Sequence, residues 1–206
     1  MNIIDMSALT ILVVDSNHYM RKIIRAMLRG FGISQIREAS DGALALEELN
    51  TQLIDLVIAD YALETINGVE LTELVRGAED SPNRFVPMIM LSAYTEKWRI
   101  EGARDAGVTE FLRKPVCAQD LYLRLQEVIM RPRDFVRTPR YFGPDRRRHC
   151  ASGIATPSRR STDVESMEDG SVMADAPEID APTTFGSKPR IINDKNAADL
   201  VNELFD

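Results

Sequence analysis

Apolar runs that end in an acid or a hydroxyl, each followed by a segment with helical spacing, organise the first 130 residues. Leu56-Val57-Ile58-Ala59-Asp60 constrains the fold most. Four apolar side chains in succession leave no polar face, so the run reads as a strand buried on both sides, as in a parallel sheet. Thr10-Ile11-Leu12-Val13-Val14-Asp15 repeats the pattern, and Val86 to Ser92 repeats it with a terminal hydroxyl. Ser34 to Ala39 is half polar and reads as a strand near a sheet edge. Glu110 to Lys114 is a short strand that Pro115 breaks.

Helices are expected between these strands. From Ser16 or Asn17 the apolar positions Met20, Ile23, Ile24, Met27 and Leu28 keep one helical face, and Gly30 and Gly32 are plausible stops. Asp41-Gly42 opens a helix with Ala45, Leu46 and Leu49 inward, and Gly68 precedes one with Val69, Leu71, Leu74 and Val75 inward. Glu96 to Ala106 is the next, stopped by Gly107, and Ala118 to Met130 closes the series with Leu121, Leu125, Val128 and Ile129 on one side. Strict alternation of strands and helices predicts an α/β fold with helices on both faces of a parallel sheet. Right-handed crossovers leave few topologies. The choice is a flavodoxin-like five-stranded parallel sheet of order 2-1-3-4-5 with five helices, followed by a largely disordered C-terminal tail.

Such a sheet gathers Asp15, Asp60, Ser92 and Lys114-Pro115 at the carboxyl ends of its strands, where open α/β sheets place ligands. The residue types suit a nucleophilic carboxylate at Asp60 that accepts a phosphoryl group. Repulsion between two anions must be screened by a hard divalent cation on oxygen ligands, which points to Mg²⁺ held by Asp15, Asp60 and the main-chain carbonyl of Ala62. Lys114 can neutralise phosphoryl oxygens as a point charge, and Ser92 can bond one of them.

Residues 8–130 resemble a response-regulator receiver domain of the chemotaxis type. The resemblance is carried by Ile11-Leu12-Val13-Val14-Asp15, Asp60 through Gly68, Leu91-Ser92-Ala93 and Phe111-Leu112-Arg113-Lys114-Pro115. It implies that Asp60 is the phosphoacceptor, that Ser92 and Phe111 form the switch pair, and that the Lys114–Pro115 bond is cis. It implies a histidine kinase or phosphotransfer protein as donor and a protein target such as a flagellar switch. Three departures stand out. Ser16 replaces the second of two adjacent acids and with it a metal ligand, Leu63-Glu64 replaces Met-Pro, and Asn67 replaces the acid before Gly68. One charge fewer should weaken Mg²⁺ binding. The alternative is a pseudo-receiver adaptor that is not phosphorylated and binds partners or nucleotide only.

After Met130 the composition changes. Seven of the ten prolines lie in residues 131–206, and no apolar period persists. Residues 131–160 hold nine arginines and no lysine against two acids, and residues 161–187 hold seven acids and no base. Residues 131–193 are therefore expected to be a disordered tail, arginine-rich and then acidic. Asp194 could cap a short amphipathic helix over 194–206 with Ala197, Leu200, Val201 and Leu204 on one face. Planar arginine forks suit phosphate and guanine edges. The tail resembles those of chemotaxis-type receivers of alphaproteobacteria that bind cyclic di-GMP, which implies Arg140, Tyr141, Asp145, Arg146, Arg147, Arg148, Arg159 and Arg160 as ligand contacts. A solvated basic linker and non-specific nucleic-acid contact are the competing readings, and the adjacent acidic block argues against the latter.

The chain is expected to act as a non-enzymatic signalling module in the cytoplasm. No apolar stretch approaches the length of a membrane span, no signal peptide is apparent, and the tail lacks the periodicity of a DNA-binding helix-turn-helix. Cys117 and Cys150 form neither a metal-ligand spacing nor a disulfide framework. His18, at the start of the first helix, reads as a surface residue. Trp98 reads either as a half-buried helix residue or as a partner contact.

Overall fold

The computed structural model describes residues 3–4, 6–94, 96–138, 141–146 and 191–192, with the backbone alone for 3–4 and 191–192. The strands are β1 (Ile3–Ile4), β2 (Thr10–Val14), β3 (Gln35–Ala39), β4 (Leu56–Asp60), β5 (Met88–Ser92), β6 (Glu110–Arg113), β7 (Phe135–Thr138), β8 (Tyr141–Pro144) and β9 (Ile191–Ile192). The helices are α1 (His18–Gly30), α2 (Gly42–Thr51), α3 (Gly68–Gly77), α4 (Lys97–Ala106) and α5 (Ala118–Met130). The central sheet is β3-β2-β4-β5-β6, all parallel, which is the expected 2-1-3-4-5 order counted along the chain. Alternate residues of each strand feed opposite layers. Ile11, Val13, Ile58, Ile89 and Leu91 pack with Ile24 and Leu28 of α1 and Leu121, Leu125 and Val128 of α5. Leu12, Val14, Val57, Ala59 and Met88 pack with Ala45 and Leu49 of α2 and Leu71 and Val75 of α3. Every residue of β4 and β5 is buried, whereas β3 at the sheet edge buries Ala39 alone.

Local chemistry sets where the helices start. Asn17 caps α1 by accepting the N–H groups of Tyr19 and Met20, and Asp41 caps α2 by accepting that of Leu44. The Leu44 N–H holds the Asp41 carboxyl below its ordinary pKa. Asn67 and Glu70 form a reciprocal capping box on α3. Gly107 ends α4 in the left-handed region at φ 101°. Two apolar residues expected inward, Ile23 and Leu74, are exposed instead. A Leu or Ile beside an inward stripe often stays in water, because the surface holds too few polar groups to exclude it.

The structure also departs from the sequence at the start of the tail. Residues 131–146, expected to lack a fold, contain the antiparallel hairpin β7–β8, packed against α3 and α4. Phe85, Phe135 and Phe142 form an aromatic cluster with centroids 5.2, 5.4 and 5.7 Å apart. Arg84 lies 4.0 Å over the Phe142 ring. Arg76 is buried beneath the hairpin, 5.0 Å from the Phe135 centroid, and donates to the carbonyls of Arg84, Val86 and Gly107. Burial pushes its pKa down to about 9, so it remains a cation at neutral pH. Gly143 must lack a side chain, since a Cβ there would sit 2.9 Å from the Gly107 Cα and 2.6 Å from the Tyr141 hydroxyl. Arg133 and Arg124 both pair with the buried Glu110, tying the linker and α5 to β6. The tail beyond Arg146, including the 194–206 segment, lies outside the described residues except for β9, which pairs antiparallel with β1.

Candidate functional site

The residues expected to work together do meet. Asp15 follows β2, Asp60 ends β4, Ser92 ends β5 and Lys114 follows β6, so parallel pairing brings all four to one edge of the sheet. Lys114 Nζ lies 2.8 Å from Asp15 Oδ2 and 3.0 Å from Asp60 Oδ1. Asp15, Asp60 and Ser92 are buried, and the Lys114 side chain is 17% exposed. Burial alone pushes the lysine pKa down. Its hydrogen bonds and charge attraction to Asp15 and Asp60 more than reverse this and hold it above the ordinary value. The ammonium is therefore fixed in its charged form, and the two carboxylates are fixed around it.

The backbone around these side chains is tightly specified. Gly68 packs against the end of β4, where a Cβ would fall 2.5 Å from the Asp60 carbonyl oxygen and 2.7 Å from Met90 Sδ. The loop carrying Ala62 is closed by the Tyr61 N–H donating to Leu91 and the Gly68 N–H donating to Tyr61. The Lys114–Pro115 bond is cis, as the sequence reading expects. The Ser92 hydroxyl accepts the Tyr94 N–H at 3.0 Å. Phe111 is partly buried and packs with Met90, Ala103 and Val108 beneath α4.

The donor set fits a hard divalent cation, with two carboxylates sharing one positive partner beside a loop carbonyl. It is also one acid short. Asp15 Oδ1 accepts the Asn17 N–H, Ser16 is exposed, and among the described residues no three His, Cys, Asp or Glu side chains group as metal ligands. The structure adds two residues that the sequence reading passed over. Arg21, one turn into α1, donates to the carbonyls of Asp15 and Ser16 and pairs with Glu38, which braces the acid-bearing loop. Arg99 lies 5.4, 4.6 and 4.5 Å from the ring centroids of Tyr61, Tyr94 and Trp98. Neither has a periodic signature; aromatics next to Asp60 and Ser92 were the only hint. Trp98 is 63% exposed, which removes the half-buried reading. Of the tail candidates, Tyr141, Asp145 and Arg146 are in the hairpin region, whereas Arg140, Arg147, Arg148, Arg159 and Arg160 lie outside the described residues.

A family model described as the response regulator receiver domain matches residues 11–126. The chain belongs to that family. This receiver is 32% identical over 121 residues to the chemotaxis protein CheY of Pseudomonas aeruginosa, covering 59% of this chain and 96% of the relative. Chemotaxis protein CheY-3 of Vibrio cholerae is 31% identical over 121 residues, 59% of this chain and 92% of its own. Among solved structures, the receiver domain of the Pseudomonas aeruginosa sensor histidine kinase PA1611 aligns with a TM-score of 0.53 and 30% identity, over 58% of this chain and 95% of that one. That structure is described with a magnesium ion coordinated in its active site cleft. Vibrio cholerae CheY4 aligns with a TM-score of 0.54 and 27% identity, over 58% and 98%. No helix among the described residues is long and apolar enough to cross a membrane.

Proposed function

We propose that this receiver accepts a phosphoryl group on Asp60 from a histidine kinase or phosphotransfer protein. It passes the signal on through protein contacts in the cytoplasm, with a target such as a flagellar switch, and has no catalytic turnover of its own. The observation that carries this is the Lys114 ammonium held between Asp15 and Asp60. In the reaction an Asp60 oxygen attacks phosphorus. The new P–O bond forms as the P–N bond of phosphohistidine breaks, and the imidazole leaves with the electron pair. Asp15, Asp60 and the Ala62 carbonyl would hold Mg²⁺, which supplies the charge screening the approach of two anions requires. Lys114 balances the charge left on the phosphoryl oxygens, and Ser92 turns from the Tyr94 N–H toward one of them. Phe111 then repacks against α4.

Incubation with acetyl phosphate and Mg²⁺ should give a slower-migrating band on a phosphate-affinity gel, and Asp60→Asn should abolish it. No shifted band, or an undiminished one in the variant, would leave the pseudo-receiver reading favoured by Ser16.

The arginine-rich tail gives the same protein a second input, cyclic di-GMP. Support comes from composition and from Tyr141, whose ring already carries the Arg146 guanidinium at 3.8 Å and so offers a stacking face. Calorimetry on the full chain should show saturable binding below tens of micromolar, weakened at least tenfold, about 1.4 kcal/mol, by Arg147→Ala with Arg148→Ala. Equal heats for the two proteins would remove the tail site.

A further inference from the structure

The two ends of α4 are held by different parts of the molecule. In its first turn, Arg99 stacks with Tyr61, next to Asp60, and with Tyr94, which bonds the switch hydroxyl of Ser92. In its last turn, Asp105 pairs with Arg146 at 2.9 Å, and Arg146 also stacks over Tyr141 of the hairpin. Where the helix stops, Gly107 packs against Gly143, and its carbonyl is held by Arg76 beneath Phe135. We infer that the β7–β8 hairpin is a clasp that holds α4 in the position it takes when Asp60 is bare, so that hairpin docking and phosphoryl occupancy oppose one another.

The inference rests on Asp60 being the phosphoacceptor. A phosphoryl group there draws Ser92 from Tyr94 and shifts the segment leading into α4. A ten-residue helix is a stiff rod about 15 Å long, so movement at its first turn must be accommodated at its last. There the three-phenylalanine cluster and the Arg146–Asp105 pair resist it. Releasing the hairpin therefore raises the affinity of Asp60 for its ligand, and by linkage a ligand at Asp60 loosens the hairpin. Arg146 gives the clasp its handle. An anion that claims this guanidinium breaks the pair with Asp105, and a planar group stacked on that face of Tyr141 must displace it. Either event sensitises the phosphoacceptor from the far end of the domain.

Trp98, the single tryptophan of the chain, lies in the first turn of α4 and reports its environment directly. Its fluorescence in the full-length protein is to be titrated with beryllofluoride in the presence of Mg²⁺, beryllofluoride standing for the phosphoryl group on Asp60. The clasp predicts a midpoint about tenfold lower for Phe142→Ala and about threefold lower for Asp105→Asn. Combining Asp105→Arg with Arg146→Asp should restore the wild-type midpoint, a recovery that general loosening would not produce. Circular dichroism identifies any variant that has lost its fold, and Asp105→Asn, at an exposed site, keeps the test decisive if Phe142→Ala does. Midpoints equal to or above that of the wild type overturn the clasp. Absence of any saturable response in the wild type, with the fold intact, overturns instead the phosphoacceptor reading beneath it.

Discussion

Arg76→Ala is expected to lower the melting temperature of this receiver by about 10 °C. The side chain is 3% exposed, and no carboxylate among the described residues pairs with it. Its charge is spread over the carbonyls of Arg84 at 2.6 Å, Val86 at 2.7 Å and Gly107 at 3.2 Å, under the face of Phe135. Truncation removes the cation and leaves these acceptors in a dry site. Each unsatisfied group costs about 1–3 kcal/mol, so the total is about 3 kcal/mol or more. In a domain of this size each kcal/mol moves the midpoint by about 3 °C. Arg76→Lys should fall between, because one ammonium can serve some of the carbonyls but cannot span them as the planar fork does. Thermal and urea denaturation of the three proteins check the order. An alanine variant within about 1 kcal/mol of the wild type would mean that water replaces the guanidinium at no cost.

Ser16→Asp is expected to tighten Mg²⁺ binding by about tenfold, or 1.4 kcal/mol. The position is exposed and adjoins the buried Asp15, so an added carboxylate would join the metal-binding edge without displacing packed atoms. Its charge acts in two opposite directions. Without metal, a third acid beside Asp15 and Asp60 adds repulsion that the single Lys114 ammonium must offset, and the variant should melt below the wild type. With saturating Mg²⁺ the order should reverse, because a ligand that binds the folded state alone stabilises it in proportion to its affinity. Calorimetric titration gives the affinity, and melting curves with and without the ion test the crossover. Equal affinities would show that Ser16 is not in the ligand shell and that the missing charge does not limit this site.

The parts of the molecule legible from the sequence are those whose physics is local or periodic. β4 and β5 betray their double burial by having no polar face, and the caps at Asn17, Asp41 and Gly107 announce helix ends one residue at a time. The four groups of the site could be placed because a parallel sheet sends every strand end to the same edge, so Asp15, Asp60, Ser92 and Lys114 needed only their strands to be right. The hairpin failed this logic. Its apolar residues Phe135, Val136, Tyr141 and Phe142 lie among arginines and prolines, and too few of them recur to give a period. They are half-buried against a surface made elsewhere, including Phe85, Arg84 and Arg76, which no window around residue 140 contains. Arg76 was missed for the complementary reason. An arginine in the last turn of a helix usually faces water, and here its carbonyl partners come from two other segments, the connection before β5 and the end of α4.

The pairing of β1 with β9 brings together residues far apart in the sequence. Ile3 stands opposite Ile192 and Ile4 opposite Ile191, so the chain closes on itself across most of its length. Such a closure costs entropy that rises only with the logarithm of the separation, so it is little harder to form than a pairing at half that distance along the chain, by about 0.6 kcal/mol.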